Sequence, residues 1–331
     1  PAALGAGSHE LYVRIDKGNE HSAYIGRKFS IRPLAPRISH PVQGGILESG
    51  SSLSGTQGYS GAGSIVTLQE YGGHEWARAT PDTNGAWTSA PLPRSIAGRK
   101  TLYVRVDVGS HHSEYVTRDF SVKPPLPAIL GPTGPTGQRP AFNGSGYEGA
   151  TVEIVQQNHA TPVLATATVR NGVWNAVLGT GSQDLPPGPY VLSARQRFDG
   201  VWSNWLNPPF QISVQPPRPS ISALTNPGGA RQPLTITGVF NGTVTLELFH
   251  EAGGKVAGTF SSAGVTRLFT PTADWAPGTH SVHVTQTVNG VASERSDVRA
   301  FAVKPPRPAI TQPASPALPK QALTITGVFS G

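Results

Sequence analysis

The chain contains no cysteine and no methionine among its 331 residues. The absence of cysteine excludes disulfides and thiol catalysis, and it removes the commonest ligands of structural zinc. It leaves the compartment open, because cytosolic and exported proteins alike can lack cysteine. The absence of methionine indicates that Pro1 is not a native start, so we expect both ends to be cuts in a longer array.

The sequence also lacks long apolar runs and dense charge. No segment approaches the ~18 consecutive apolar residues of a membrane helix, so we expect no membrane insertion in this segment. The net charge of +7 comes from 26 basic and 19 acidic residues that are scattered along the chain. Because nucleic-acid binding needs a basic face, we expect no nucleic-acid partner.

What the sequence does contain is a repeat. The segment LTITGVFNG at 234–242 returns as LTITGVFSG at 323–331, and 323 − 234 gives an offset of 89 residues. Two other markers recur with a similar period, which makes chance similarity an unsatisfactory explanation. Prolines of the Pro-rich joints lie at Pro36, Pro127, Pro219 and Pro308, and serines after the last turn lie at Ser22, Ser113, Ser203 and Ser293.

This period predicts how the chain is divided into domains. A unit of ~90 residues is long enough to bury its own core. We therefore predict the C-terminal part of one domain, three whole domains, and the N-terminal part of another. Their bounds are 1–35, 36–126, 127–218, 219–307 and 308–331.

Each repeat reads as a set of short strands. In the third, LTITGVF (234–240), TVTLELF (243–249) and HSVHVTQTV (280–288) alternate apolar and polar residues and are rich in β-branched side chains. About seven such strands in ~90 residues predict an all-β fold of tandem immunoglobulin-like antiparallel β-sandwiches. Four glycines serve as structural repeat markers of one strand: Gly55, Gly144, Gly238 and Gly327.

Two Asn-Gly turns followed by tryptophan mark a hairpin in the first two repeats. The segments NGAW (84–87) and NGVW (171–174) predict two-residue turns, because Asn-Gly tolerates positive φ at both positions. Trp87 and Trp174 then belong to the following strand. The third repeat has Thr266 in this place, so we expect another aromatic, such as Phe269 or Trp275, to fill its core.

In these motifs the chain resembles the bacterial Ig-like repeats of large surface adhesins and related secreted proteins. The resemblance is carried by a Gly-x-Gly strand, a Gly-x-x-Val strand, an Asn-Gly-x-Trp turn, a Gly-x-Tyr strand and a late Gly…Ser pair. In the second repeat these motifs begin at Gly144, Gly149, Asn171, Gly188 and Gly200. The resemblance covers essentially the whole chain and implies a cell-surface or secreted location. The joints carry no Asp/Glu cluster, so interdomain calcium is not implied.

The joints predict stiff connections. Consecutive prolines, as in PPLP and PPRP, fix φ and favour extended backbone. We therefore expect an extended array, in which the neighbouring repeats of the same chain are one another's partners. Such an array would hold another domain at a set distance from a surface.

Several motifs suggest catalysis or ligand binding without completing a site. GSGYEG (144–149) matches a dinucleotide fingerprint, but a strand follows it where a helix is required. GYSGAG (58–63) places Ser60 in a nucleophile-like loop that lacks the second glycine. His111 and His112, with His21 in the preceding unit, have no third ligand nearby in sequence. We therefore predict no enzyme activity, no metal and no cofactor.

Three tryptophans are candidates for contact with a ligand or partner. Trp202 and Trp205 flank the last turn of the second repeat, and Trp76 lies in a hairpin arm of the first. Residues three apart in a regular strand point to opposite faces, so Trp202 and Trp205 are expected to diverge unless a bulge intervenes. An exposed indole can stack on a sugar or fill a partner's pocket.

The sequence thus favours a non-enzymatic stalk or spacer segment of a bacterial cell-surface or secreted protein, such as an adhesin, in which it positions a distal functional domain. One alternative is a glycan- or receptor-binding segment that uses the exposed aromatics. Another is a structural segment of a toxin or fibre assembly, since unpaired sheet edges can join neighbouring chains. The expected location is extracellular, at the bacterial cell surface.

Overall fold

A computed structural model describes residues 4–57, 63–179, 183–222, 224–262, 264–312, 315–316 and 319–327. All regular elements in these ranges are β-strands, which confirms the all-β class predicted from the sequence. Within the same ranges no helix is long and apolar enough to cross a membrane.

The chain divides into two compact units. Unit 1 comprises 1–131, 142–176 and 193–209, and unit 2 comprises 132–141, 177–192 and 210–331. The domain bounds deduced from the repeat stay a prediction. The terms "first repeat", "second repeat" and "third repeat" denote the sequence ranges 36–126, 127–218 and 219–307.

Unit 1 begins with two short hairpins, which precede the first repeat. β1 and β4 pair antiparallel from Gly7↔Ile31 to Val13↔Ile25, and β2 pairs with β3. Their bounds are β1 (Gly7–Val13), β2 (Asp16–Lys17), β3 (Glu20–His21) and β4 (Ile25–Ile31).

The first repeat, also in unit 1, forms two sheets around one core. Its strands are β5 (Arg37–His40), β6 (Gly45–Leu47), β7 (Ser54–Thr56), β8 (Ser64–Gln69), β9 (Glu75–Ala79), β10 (Ala86–Thr88), β11 (Gly98–Val108), β12 (His111–His112) and β13 (Val116–Val122). One sheet has the order β10-β7-β5 and the other β6-β13-β11-β8-β9. The alternating apolar residues of both sheets meet in a core that includes Leu68, Trp87, Leu102 and Phe120.

The second repeat contributes strands to both units. They are β14 (Ala128–Gly131), β15 (Pro135–Thr136), β16 (Ala141–Ser145), β17 (Thr151–Gln156), β18 (Val163–Thr168), β19 (Val173–Val177), β20 (Gly188–Phe198), β21 (Val201–Trp202) and β22 (Phe210–Val214). In unit 1, β17 pairs with β18, and the end of β20 pairs with β21. In unit 2, the beginning of β20 pairs with β22, which also pairs in parallel with β15.

The third repeat lies in unit 2. Its strands are β23 (Ser220–Ile221), β24 (Leu234–Thr237), β25 (Val244–His250), β26 (Gly258–Phe260), β27 (Thr266–Pro271), β28 (Gly278–Val288), β29 (Val291–Ala292) and β30 (Arg299–Val303). The pair β31 (Ala309–Ile310) and β32 (Ile325–Thr326) comes next, and Gly327 stands directly after β32. The core of the third repeat contains Leu234, Leu248, Phe269, Trp275 and Phe301.

The strand order identifies the sandwiches as immunoglobulin-like. In the third repeat the sheets are β23-β24-β27-β26 and β25-β28-β30, which is the four-plus-three arrangement of an Ig constant-type domain. In the first repeat the strand in the position of β26, namely β9, pairs instead with β8. The repeats therefore share one fold but differ in which sheet this strand joins.

A glycine opposite the hairpin tryptophan explains two of the repeat markers. An added Cβ at Gly55 would lie 2.5 Å from Trp87 Cζ2, and one at Gly144 would lie 2.4 Å from Trp174 Cζ2. Both indoles are almost fully buried. Glycine is therefore required because the ring and a backbone carbonyl of the neighbouring strand, that of Arg37 or Ala128, together occupy the space that any side chain would need.

The third repeat fills this space differently. Ile221 pairs with Ile236, whereas Ile38 pairs with Gly55 and Ile129 with Gly144, so Ile236 holds the position of those two glycines. Ile236 is opposite Arg267, which makes Arg267, and not Thr266, the residue in the tryptophan's register position. The expected replacement aromatics, Phe269 and Trp275, are both buried in the core.

The marker serines share one hydrogen-bonding role. Each accepts a hydrogen bond from the backbone N–H of the residue seven positions earlier and donates one to the next carbonyl. In the first repeat, Val106 N–H donates to Ser113 Oγ at 2.9 Å, and Ser113 Oγ donates to the Glu114 carbonyl at 2.8 Å. The equivalent serines are Ser22, Ser203 and Ser293. Serine recurs because it ends this hairpin while satisfying the released backbone groups.

The two Asn-Gly turns are not alike. Asn171 and Gly172 both have positive φ, as a two-residue hairpin turn requires. At 84–85 only Gly85 has positive φ, and Asp82 Oδ1 accepts from the N–H groups of Asn84 and Ala86. The prediction of a two-residue turn is therefore wrong in the first repeat, because the Asp82 side chain holds a wider loop.

We expect Gly144→Ala to lower the free energy of unfolding by at least ~2 kcal/mol, because the added methyl must displace the Trp174 ring or the Ala128 carbonyl. Urea denaturation followed by tryptophan fluorescence measures this. Gly137→Ala is the matched control, since a Cβ there meets no atom within 4 Å. Equal unfolding midpoints for the two variants would contradict the packing account.

Candidate functional site

Trp202 lies on the short strand that comes after the long strand β20. The turn between them, Asp199-Gly200, has positive φ at both positions. β21 folds back on β20 so that Trp202 pairs with Arg197. The pairing places the indole above the arginine side chains of β20, with Arg195 Cζ 3.9 Å and Arg197 Cζ 5.4 Å from its centroid.

Trp205 reaches the same arginine by a different route. After Ser203 the chain leaves the ladder, and Leu206 N–H then donates to the Ala194 carbonyl at 2.7 Å. This second attachment brings the Trp205 ring within 4.3 Å of Arg195 Cζ. The two indoles therefore do not diverge, because the condition for divergence, a regular strand between them, is not met.

The guanidinium of Arg195 is the centre of this cluster. Arg195 Nε donates to Glu153 Oε2 at 3.1 Å, and both side chains are largely shielded from solvent. Cation–π contacts contribute roughly 0.5–2 kcal/mol each, depending on how far they are desolvated. The arrangement fixes Trp205 in one orientation while leaving 37% of this residue exposed.

A groove adjoins Trp205. Its volume is about 540 Å³, and it is lined by Val155, Gln157, Asn158, His159, Ala160, Ser193, Trp205, Leu206 and Asn207. Apart from His159, these side chains are uncharged at every pH. Carboxamides and an indole can bind the hydroxyl groups and the apolar face of a neutral polar molecule.

The third predicted contact residue, Trp76, lies elsewhere. It is on β9, is only 8% exposed, and packs edge-to-face against Phe120 in the core of the first repeat. The structure therefore brings Trp202 and Trp205 together and separates Trp76 from them. In this position, Trp76 offers little surface to a ligand.

The remaining motifs have structural surroundings. Residues 144–149 run from β16 towards β17, and Ser60 lies outside the described residues. His21 and His112 occupy equivalent hairpins, where each Nδ1 lies 2.6 Å from an aspartate, Asp16 or Asp107. Within the described ranges, no group of three or more His, Asp and Glu residues is arranged to hold a metal ion.

Sequence reasoning missed Arg195, Glu153 and the groove. One signal was available: Arg195 and Arg197 alternate on β20 just before two tryptophans, so both arginines lie on one face. The groove had no such signal, because residues 157–160 and 205–207 are far apart in sequence.

No protein-family model matches the chain, and no curated protein matches it. The resemblance to bacterial Ig-like repeats therefore stays a prediction. Among solved structures, the chain is similar to a biofilm-associated protein BSP domain, at 22% identity and a TM-score of 0.21, over 54% of this chain and 29% of that one. It is also similar to an ICAM-5 D1–D4 ectodomain fragment, at 12% identity and a TM-score of 0.38, over 85% and 79% of the two chains.

A third similar structure comprises fibronectin(III)-like modules of Clostridium thermocellum CbhA, at 15% identity and a TM-score of 0.22. It is matched over 54% of this chain and 93% of that one. Every one of these TM-scores is below 0.5, so the fold assignment depends on the strand order of the chain itself.

We expect Arg195→Lys to weaken the attachment of the two indoles, because an ammonium cannot stack as a guanidinium does. The free energy of unfolding should fall by roughly 1 kcal/mol, and the near-UV circular dichroism of tryptophan should change. Arg170→Lys is the control, since Arg170 is exposed and has no ring contact in the described structure. An unchanged tryptophan signal would contradict the cluster's proposed role in orienting Trp205.

Proposed function

We propose that the chain is a non-enzymatic spacer segment of a bacterial cell-surface or secreted protein, such as an adhesin, that positions a distal functional domain. The observation that carries this proposal is a buried hydrogen bond that recurs at two joints. It joins a glutamine of one repeat to the proline-rich segment that precedes that repeat.

At the second joint, residues 123–127, the glutamine is Gln196, which is fully buried. Its Nε2 donates to the Pro125 carbonyl at 2.6 Å, while its Oε1 accepts from Tyr147 N–H at 2.9 Å. Both ends of the carboxamide are thus satisfied. A partner lost from such a buried amide costs about 1–3 kcal/mol, so the linker is held against the sandwich.

Further contacts at this joint link the first and second repeats. Lys123 Nζ lies 2.5 Å from Glu48 Oε1 and 2.8 Å from Asn204 Oδ1. The Tyr147 hydroxyl donates to the Ser95 carbonyl at 2.6 Å, and burial raises the pKa of Tyr147 above its usual value. The phenol is therefore protonated at neutral pH and remains a donor.

The third joint, residues 215–219, repeats the arrangement in unit 2. Gln286 is 1% exposed, and its Nε2 donates to the Pro217 carbonyl at 2.6 Å. Its Oε1 accepts from Val239 N–H at 3.2 Å. Two joints with one geometry support a function in which the angle between neighbouring repeats matters.

A side chain in the turn after each long strand completes these joints. Asp199 Oδ2 accepts from Arg99 N–H at 2.8 Å, and Asn289 Nδ2 donates to the Pro187 carbonyl at 2.9 Å. Arg99 is the second residue of the long strand β11, and Pro187 directly precedes the first residue of the long strand β20. Glycine stands there, and a Cβ at Gly98 would lie 2.9 Å from Asp199 Cβ.

We expect Gln196→Leu to loosen the second joint, because leucine cannot donate to the Pro125 carbonyl. The chain has no cysteine, so spin labels can be placed at the exposed positions Thr88→Cys and Thr166→Cys. The distribution of distances between them, measured by double electron–electron resonance, should broaden.

Gln211→Leu is the control for that experiment, since Gln211 is exposed on β22. It should leave the distribution unchanged. A distribution equally narrow in Gln196→Leu would remove the support for a spacer with fixed joints.

A second candidate function is recognition of a neutral carbohydrate at the groove beside Trp205. It is favoured by an indole that is oriented by Arg195, partly exposed, and surrounded by Gln157, Asn158 and Asn207. Aromatic platforms with nearby amides suit the apolar faces and hydroxyls of sugars. This candidate is compatible with a spacer, because the groove lies in one repeat.

The carbohydrate candidate is tested on a glycan array with the full chain. We expect the array to retain the wild type and Trp205→Phe. Trp205→Ala should lose at least tenfold in binding signal, because it lacks the aromatic ring on which the sugar would stack. Asn158→Gly should also lose signal while keeping the fold, since Asn158 has positive φ. Absence of any retained glycan, or undiminished signal in Trp205→Ala, would refute the candidate.

A further inference from the structure

The first joint, residues 32–36, lacks the buried hydrogen bond of the other two. The ninth residue of each long strand faces the preceding linker, and it is Gln196 in β20 and Gln286 in β28. In β11 the ninth residue is Val106, which is fully buried. A valine side chain cannot donate to a linker carbonyl, so this joint is without the polar attachment.

In the first repeat the glutamine side chain does not lie on the long strand β11 but directly after β7. Gly146 and Gly238 lie beside the glutamines of the other repeats, and an added Cβ would come within 2.7 and 2.6 Å of the respective Oε1 atoms. By strand register the first repeat has Gln57 in this position. Gln57 Nε2 donates to Ser64 Oγ at 3.1 Å, within the repeat and away from the linker.

The turn after the long strand also differs. Asp199-Gly200 and Asn289-Gly290 have positive φ at both positions and supply a side chain that reaches the preceding repeat. The first repeat has Gly109-Ser110, in which only Gly109 has positive φ. Gly109 has no side chain to make this contact, and a Cβ at Gly7, the counterpart of Gly98, would meet no atom within 4 Å.

The linker of the first joint also has a less rigid sequence than the other two linkers. The second and third joints read PPLP and PPRP, whereas the first reads PLAP and has Leu34 where the others have proline. Proline restricts φ and stiffens the backbone, and leucine does not. Leu34 is 64% exposed.

The linker prolines Pro33 and Pro36 are buried, but the polar side-chain contacts that cross the first joint are exposed. Arg32 pairs with Glu114, and both side chains are more than half exposed. Ser8 Oγ lies 3.1 Å from His111 Nε2, also at the surface. Exposed ion pairs contribute at most about 1 kcal/mol and are screened by salt.

We infer that the first joint is a hinge, whereas the second and third joints are fixed. Three features coincide there: the linker hydrogen bond is missing because the glutamine lies elsewhere, the turn after the long strand has no side chain that reaches the preceding repeat, and the linker contains a leucine in place of a proline. The hinge allows the segment before residue 32 to change its angle to the first repeat. The second joint meanwhile holds the first repeat at a fixed angle to the second repeat.

The test compares label pairs in the full chain by double electron–electron resonance. Arg27→Cys with Thr88→Cys spans the first joint, and Thr88→Cys with Thr166→Cys spans the second; all three positions are exposed. We expect the distribution of label-to-label distances across the first joint to be at least twice as broad as the one across the second joint. Lys17→Cys with Arg27→Cys, both in the first hairpins, reports whether that region is itself ordered.

The decisive variant transfers the attachment to the first joint: Gln57→Gly, Val106→Gln, Gly109→Asn and Ser110→Gly together. It should narrow the first distribution to the width found across the second joint. If this variant loses its fold by circular dichroism, the reciprocal Gln196→Val with Asp199→Gly should broaden the second distribution to the width of the first. Equal widths in wild type, or no response in either variant, would overturn the hinge.

The hinge does not depend on the carbohydrate candidate or on the spacer's location. A distance distribution that stays narrow in Gln196→Leu would contradict the proposal of fixed joints. Equally narrow distributions across the first and second joints of the wild type would contradict only the hinge. The two outcomes are therefore distinguishable.

Discussion

The buried carboxamide between a long strand and its preceding linker is the constraint on which the arrangement of these repeats depends. Gln196 and Gln286 each satisfy a linker carbonyl with one end and a backbone N–H of the same sandwich with the other. Because neither group can reach water instead, separating linker from sandwich leaves unsatisfied polar atoms in the interior. A Pro-rich segment thereby becomes part of the folded domain.

This constraint explains residues that otherwise look unrelated. Gly146 and Gly238 are needed because the glutamine occupies the space of a Cβ, just as Gly55 and Gly144 are needed beside an indole. Where the large residue changes, the glycine changes too. Ile236 stands in the position of Gly55 and Gly144 in the repeat that has Arg267 in place of the tryptophan, and Gln57 stands in the position of Gly146 and Gly238 in the repeat whose long strand has Val106 in place of the glutamine. A substitution at one of these positions is thus accompanied by a substitution at its neighbour, as expected in a close-packed interior.

The cluster around Arg195 shows how the sheet positions a partly exposed indole. Glu153 and Arg195 lie on adjoining strands, so their ion pair is positioned by the sheet. The guanidinium then contacts two indoles that come after a tight turn, and the outer one forms a wall of a groove lined mainly by uncharged side chains. Rigid aromatic surface of this kind loses little entropy on binding, which suits weak ligands such as sugars.

The sequence by itself determined the period, the all-β class and the immunoglobulin-like sandwich, because alternation, turn residues and recurring Ser113, Ser203 and Ser293 are local signals. Its alternation rule failed for Trp202 and Trp205, whose approach depends on the hydrogen bond from Leu206 to Ala194. Only the tertiary structure decided the groove, the exchange of β9 and β26 between sheets, and which joints are attached. The groove and the joints join residues about 50 to 100 positions apart, as Gln196 to Pro125 and Asp199 to Arg99 do, and no local pattern encodes such pairs.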